Sequence, residues 1–69
     1  MSRPLRRILG RNVKRVRLQR GLSQEAFADK AGIHRTYVGG IENGTRDITL
    51  ETLERIAAAL VVDAVDLLK

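Results

Sequence analysis

The chain has 69 residues, 43% of them hydrophobic, with a net charge of +5, one histidine and no cysteine. A chain of this length makes one small domain, which buries about 60% of its unfolded surface. Without cysteine there is no disulfide frame, thiolate metal site or thiol nucleophile, and one histidine cannot build a His-rich zinc cluster. The longest apolar run, Ile56 to Val62, is far short of a membrane span. Met1-Ser2-Arg3-Pro4 leads into arginines rather than an apolar signal core, so a cytoplasmic location is expected.

Residues 1–4 read as a candidate disordered arm, followed by a first helix from about Leu5 to Arg20, with Pro4 tolerated at its start. Leu9, Val13 and Val16 share one face. Gly10 costs about 1 kcal/mol relative to Ala, which predicts fraying before it. Gly21 is placed to cap the helix. Residues 1–20 hold Arg3, Arg6, Arg7, Arg11, Lys14, Arg15, Arg17 and Arg20 and no acid, a balance of +8 against −3 for the remainder. Such a run is either a solvated helix face or an electrostatic footprint for phosphates. A basic helix lying on a membrane is disfavoured, because the apolar side carries no aromatic residue.

Ser23 to Asn43 reads as two short helices joined by a tight turn at Ala31-Gly32-Ile33. Ser23 is a favoured N-cap, and Glu25 lies in the first turn, where the macrodipole favours an anion. Phe27, Ala28 and Ala31 form an apolar stripe that ends at Gly32, a residue suited to positive φ. Ile33, Val38 and Ile41 form the inward set of the next helix, which Asn43-Gly44 closes. At about 100° per residue, the opposite side holds Thr36, Gly40 and Asn43, with Gly39 beside them and Arg35 within reach. That outer face offers short polar groups, bare backbone and one guanidinium. Taken alone, the pattern equally fits an ordinary helical hairpin in a small bundle.

Gly44-Thr45-Arg46-Asp47 is a turn-rich loop. Thr49 caps a fourth helix with Glu51 in its first turn and Leu50, Leu53, Ile56, Ala57 and Leu60 as its core face. Asp63 caps a short fifth helix, Ala64 to about Leu68. The expected fold is all-α: five helices in one compact domain spanning residues 1–69, with no strand.

From Leu9 to Leu68 the chain resembles the lambda-repressor-like (Xre-type) helix-turn-helix DNA-binding family. The resemblance is carried by Gln24, Ala28, Gly32, Val38 and Ile41, and by the longer stretches GLSQEAFADKAGI, IENGTR and TLETLERIAAAL. It implies a helix-turn-helix in helices two and three, the second of these lying in the DNA major groove while the first crosses the backbone. It also implies a partly buried salt bridge between Arg17 and Glu42, making Arg17 structural. Gln24 takes the position that donates to a phosphate, helped by the amides of a helix N-terminus. Arg35 and Thr36 take the base-reading positions, where arginine suits guanine O6 and N7 and a threonine methyl suits thymine. Arg46 takes a loop position that approaches the sugar-phosphate backbone.

Several residues keep two readings. Ser23 and Asn43 are phosphate candidates and also capping residues; for Ser23 the cap is preferred, and for Asn43 the two stand level. Tyr37 either donates to a phosphate or covers the hydrophobic seam. His34 stands where the family has a small capping residue, and no nucleophile or acid accompanies it. Gly39 and Gly40 depart from the family, which carries side chains there; they either admit DNA close to the backbone or mark a weakly specific reader. Val61 replaces a glycine that commonly ends the fourth helix, leaving the following loop undetermined.

The resulting expectation is a transcriptional regulator, not an enzyme, that represses by binding a palindromic double-stranded DNA operator as a homodimer. The resemblance extends to phage repressors of the Cro kind, restriction–modification controller proteins and antitoxins. No metal, cofactor or small-molecule ligand is expected, and the dimer contact is placed near Val61, Val62, Val65 and Leu68. The rival reading is an antitoxin or antirepressor-like module whose main partner is another protein. RNA binding is a minor alternative, since one Phe and one Tyr offer little for base stacking.

Overall fold

The computed structural model describes residues 3–69. Four α-helices and a terminal 3₁₀ segment follow in order: α1 Arg3–Gln19, α2 Gln24–Ala31, α3 Arg35–Glu42, α4 Leu50–Leu60 and the 3₁₀ turn Ala64–Leu68. No strand occurs among the described residues. The helix count is therefore four rather than five. The last segment has only five residues between Asp63 and Lys69, and Asp63 makes no side-chain capping bond, contrary to expectation. Short runs of this kind close with the tighter i→i+3 bond.

Helix α1 begins at Arg3, so residues 3 and 4 are helical rather than part of an arm; residues 1 and 2 lie outside the described residues. The fraying expected before Gly10 is absent, because Gly10 is buried against α3. A β-carbon there would overlap the carbonyl oxygen of Ile41 and come within 2.8 Å of that of Glu42. The propensity lost at Gly10 is exchanged for close contact between two helix backbones.

The core gathers Leu9, Val13 and Val16 of α1, Phe27, Ala28 and Ala31 of α2, Val38 and Ile41 of α3, and Leu53, Ile56, Ala57 and Leu60 of α4. Phe27 and Val38 are fully enclosed at its centre. Leu50 is a correction: it is 78% exposed. It stands at the edge of the α4 stripe in the first turn, and helical side chains lean toward the N-terminus, past the end of the core. Ala59 is buried in its place on the other edge.

Asn12 is a buried polar residue that the apolar stripe did not single out. Its Nδ2 donates to the carbonyls of Leu67 at 3.0 Å and Lys69 at 3.1 Å, fastening the 3₁₀ segment to α1. Arg20 does related work from the end of the basic run. Its Nε donates to the Leu60 carbonyl at 2.9 Å, a cation on the orphan carbonyls that end α4.

Val61 resolves the loop that sequence left open. It adopts the left-handed conformation with φ 58°, and its amide and that of Val62 bond to Ala58 at 3.2 Å and Ala57 at 3.0 Å. This is the usual glycine closure made with a β-branched residue. A side chain in this region costs about 1–2 kcal/mol, and Val61 is 73% exposed, so burial returns little. Val61→Gly should raise stability by about 1 kcal/mol, an increase in Tm of about 4–8 °C for a chain of this size. Thermal unfolding at a concentration dilute enough to keep the chain monomeric checks this; an unchanged or lower Tm there would show that the turn holds no strain for glycine to relieve.

Candidate nucleic-acid interface

The helix-turn-helix begins with a satisfied cap. Ser23 Oγ accepts the Ala26 amide at 3.0 Å, so its capping reading holds in the free chain. Gly32 ends α2 with φ 72°, and its amide and that of Ile33 close onto the last turn. The preferred left-handed turn thereby sets the crossing of α2 and α3. His34 caps α3: its Nδ1 accepts the Thr36 amide at 3.1 Å, which requires that nitrogen to be unprotonated.

Arg17 fixes α3 against the rest. Its Nε and Nη2 bond Glu42 Oε2 and Oε1 at 2.6 and 3.1 Å, and Nη1 donates to the Leu22 carbonyl at 2.8 Å. The two side chains are only 8% and 3% exposed. Gln24 Nε2 adds a bond to Glu42 Oε1 at 3.1 Å. The expected Arg17–Glu42 pair is present, and Gln24 belongs to the same network, which holds its amide at the start of α2 beside the end of α3.

With Val38 and Ile41 buried, the opposite face of α3 stands outward. Arg35, Thr36 and Asn43 are exposed, and Gly39 and Gly40 are half-buried between them. The Asn43 side chain makes no capping bond, because the left-handed closure is carried by Gly44 at φ 73°. Among the described residues it has no hydrogen-bond partner, and its amide is free for a ligand.

Gly39 and Gly40 differ in what surrounds them. A β-carbon at Gly39 would meet nothing within 4 Å. One at Gly40 would overlap Arg46 Cγ, with Arg46 Nε at 3.3 Å. The loop after α3 folds back on this glycine: the Thr45 amide and hydroxyl donate to the Gly40 carbonyl at 3.0 and 3.2 Å. The Arg46 guanidinium then lies 5.2 Å from the centre of the Tyr37 ring. Tyr37 packs on the core, and its hydroxyl donates to the Asp47 carbonyl at 3.0 Å. In the free chain Tyr37 therefore covers the seam, and its phenol anchors the loop. Gly40 seats a long cation on the outer face, an arrangement the sequence reading missed although both residues were singled out.

No group of side chains suited to a metal occurs among the described residues, and no described helix is long and apolar enough to cross a membrane.

A two-helix motif with an outward, cation-bearing second helix is the architecture of a helix-turn-helix DNA-binding domain, and comparison with known proteins agrees. The helix-turn-helix family HTH_3 matches residues 13–67. Control protein C.BamHI of Bacillus amyloliquefaciens is 41% identical over 69 residues, covering 99% of this chain and 85% of the relative. The structure of the restriction–modification controller protein C.AhdI from Aeromonas hydrophila superposes with a TM-score of 0.87 at 35% identity, over 90% of this chain and 94% of that one. The hypothetical transcription factor NHTF from Neisseria gives 0.91 at 42% identity, over 94% of this chain and 75% of that one. The chain belongs to the Xre-type helix-turn-helix family and is a DNA-binding transcriptional regulator of that type.

Two substitutions probe this geometry. Glu42→Ala leaves Arg17 buried without its partner and should cost about 3–5 kcal/mol in urea unfolding, far above the 0–1 kcal/mol of an exposed pair; a loss below 1 kcal/mol would contradict the buried network. Gly39→Ala should stabilise by about 1 kcal/mol. Gly40→Ala should gain less and displace Arg46 from Tyr37, read as a change in the Tyr37 ring proton shifts; identical gains with unmoved ring signals would show that Gly40 seats nothing.

Proposed function

We propose that this chain is a controller-type regulator that binds a pseudo-palindromic duplex operator as a homodimer in the cytoplasm and represses transcription by occupying it. The observation that carries the reading is the outer face of α3, which turns Arg35, Thr36 and Asn43 outward with no hydrophobic residue among them. Arg35 and Thr36 read base edges from the first turn of α3, Gln24 and Asn43 hold phosphates on either side, and Gly39 leaves room for the groove wall. Arg46, carried over Gly40 and Tyr37, adds a loop contact to the backbone.

Size supports two copies. Recognition helices of a symmetric complex sit about 34–36 Å apart, whereas the longest extent of this chain is 27 Å. One copy cannot span both half-sites. Val61 and Val65, 73% and 64% exposed, with half-buried Val62 and Leu68 beside them, supply the apolar contact between copies.

Selection of bound sequences from random duplex DNA tests the whole reading. A two-fold symmetric consensus is expected, with Arg35→Ala costing about 1–3 kcal/mol and relaxing preference at one base pair per half-site. Enrichment of no duplex sequence would sink the proposal in favour of a protein partner.

A further inference from the structure

The basic run of α1 is not uniform once its partners are known. Arg17 and Arg20 are spent on Glu42 and on the end of α4. Arg15 Nη2 donates to Asn12 Oδ1 at 3.0 Å, and Arg6 Nε lies 3.0 Å from Asp47 Oδ1 as an ion pair. Among the described side chains, Arg7, Arg11 and Lys14 remain. All three are exposed, and among the described residues none makes an ion pair or side-chain hydrogen bond.

Their placement is specific. At 100° per residue they fall within about 60° of one another, and seven residues at 1.5 Å extend the row over about 10 Å. The row forms one wall of a groove whose other wall is Asn43 and Gly44, at the end of the outward face of α3. Glu42 also lines it, but its carboxylate is bound by Arg17 and Gln24. The last turn of α3 has no basic residue of its own, so its carbonyl end would repel a phosphate; the α1 cations sit beside that end and reverse the local sign.

Folding gains little from this row. The first turn of α1 has no acid to answer its dipole, and like charges four apart repel by a few tenths of a kcal/mol. A row of about 10 Å is also longer than one phosphate ion needs, and comparable to about three 3.4 Å steps of a single DNA strand. We infer that Arg7, Arg11 and Lys14 form a second phosphate-binding surface, outside the helix-turn-helix, which holds the strand flanking the groove that α3 occupies. Arg7 also packs its stem on Gly44, tying the surface to the end of α3.

The inference rests on the duplex-DNA reading above, and its test separates the two. Affinity for the selected operator and for an unrelated duplex of equal length is measured across salt concentrations for the wild type, for R7Q/R11Q/K14Q, and for K30Q as a charge control on α2. Each cation that sits on a phosphate should remove about 0.9 from the slope of log K against log salt, up to about 2.7 for the triple variant. Both duplexes should weaken by a similar factor, with the consensus sequence unchanged, and K30Q should keep the wild-type slope. The triple variant should unfold close to wild type, since the row makes no ion pair or side-chain hydrogen bond and glutamine keeps most of each stem. A wild-type slope in the triple variant would overturn the inference while leaving duplex recognition intact. So would loss confined to cooperative filling of two adjacent operators, which would assign the row to contact between bound copies. Wild-type protein that binds no duplex would remove the reading beneath both.

Discussion

The bidentate contact between Arg17 and Glu42 joins more of this structure than any other polar interaction. One guanidinium reaches the carboxylate that ends α3 and the Leu22 carbonyl that precedes α2, while Gln24 returns to the same carboxylate from the start of α2. Three helices are thereby registered at one point, directly behind the outward face. The apolar core around Phe27 and Val38 supplies most of the adhesive energy, but its contacts are non-directional. A buried ion pair is weak evidence of net stabilisation, since desolvation offsets much of the attraction. What it adds is orientation: α3 cannot rotate about its axis without leaving Arg17 buried and unanswered. For a helix that must present one face to a groove, rotation is the coordinate that matters.

The same economy divides the cations. The first twenty residues carry eight positive charges; the fold buries Arg17 against the Glu42 carboxylate and lays the exposed Arg20 on the Leu60 carbonyl. Arginine suits these places because its planar fork donates in several directions at once. Arg7, Arg11 and Lys14 lie outward along the side of α1 that borders the end of α3. A basic stretch in sequence is therefore divided in space, and a cation buried against a carboxylate, as Arg17 is, adds little to a long-range field.

Much of this was legible beforehand, for identifiable reasons. Helical spacing of Phe27, Ala28 and Ala31, the Ser23 and Thr49 caps and the stop at Gly32 are local signals, and α2, α3 and the body of α4 follow them. The inward set of α3 fixed its outward set by subtraction. What escaped were features decided between segments. Gly10 reads as a helix weakener until α3 is laid across it, and Leu50 reads as core until the end of the packed layer is known. Asn12 had a signal, for it stands three residues from Leu9 on the edge of the buried stripe, but its partners are 55 and 57 residues away. The 3₁₀ geometry of Ala64–Leu68 depends on that distant anchor as much as on its own residues.

Two backbone positions show how the chain divides strain between stability and presentation. Val61 holds a left-handed turn that glycine would hold with less strain, and nothing within the monomer recovers the difference from its exposed side chain. Gly40 does the reverse: alanine would suit the helix better, yet the missing β-carbon is the space through which Arg46 crosses α3. At the second site a few tenths to about 1 kcal/mol of helix propensity is exchanged for a cation delivered from a loop. The outer face therefore combines Arg35 and Thr36, borne on a helix whose position Arg17 fixes, with Arg46, delivered from the loop and resting on Tyr37. Gly40 is thus where the loop cation gains its place on that face, without altering the helix beneath it.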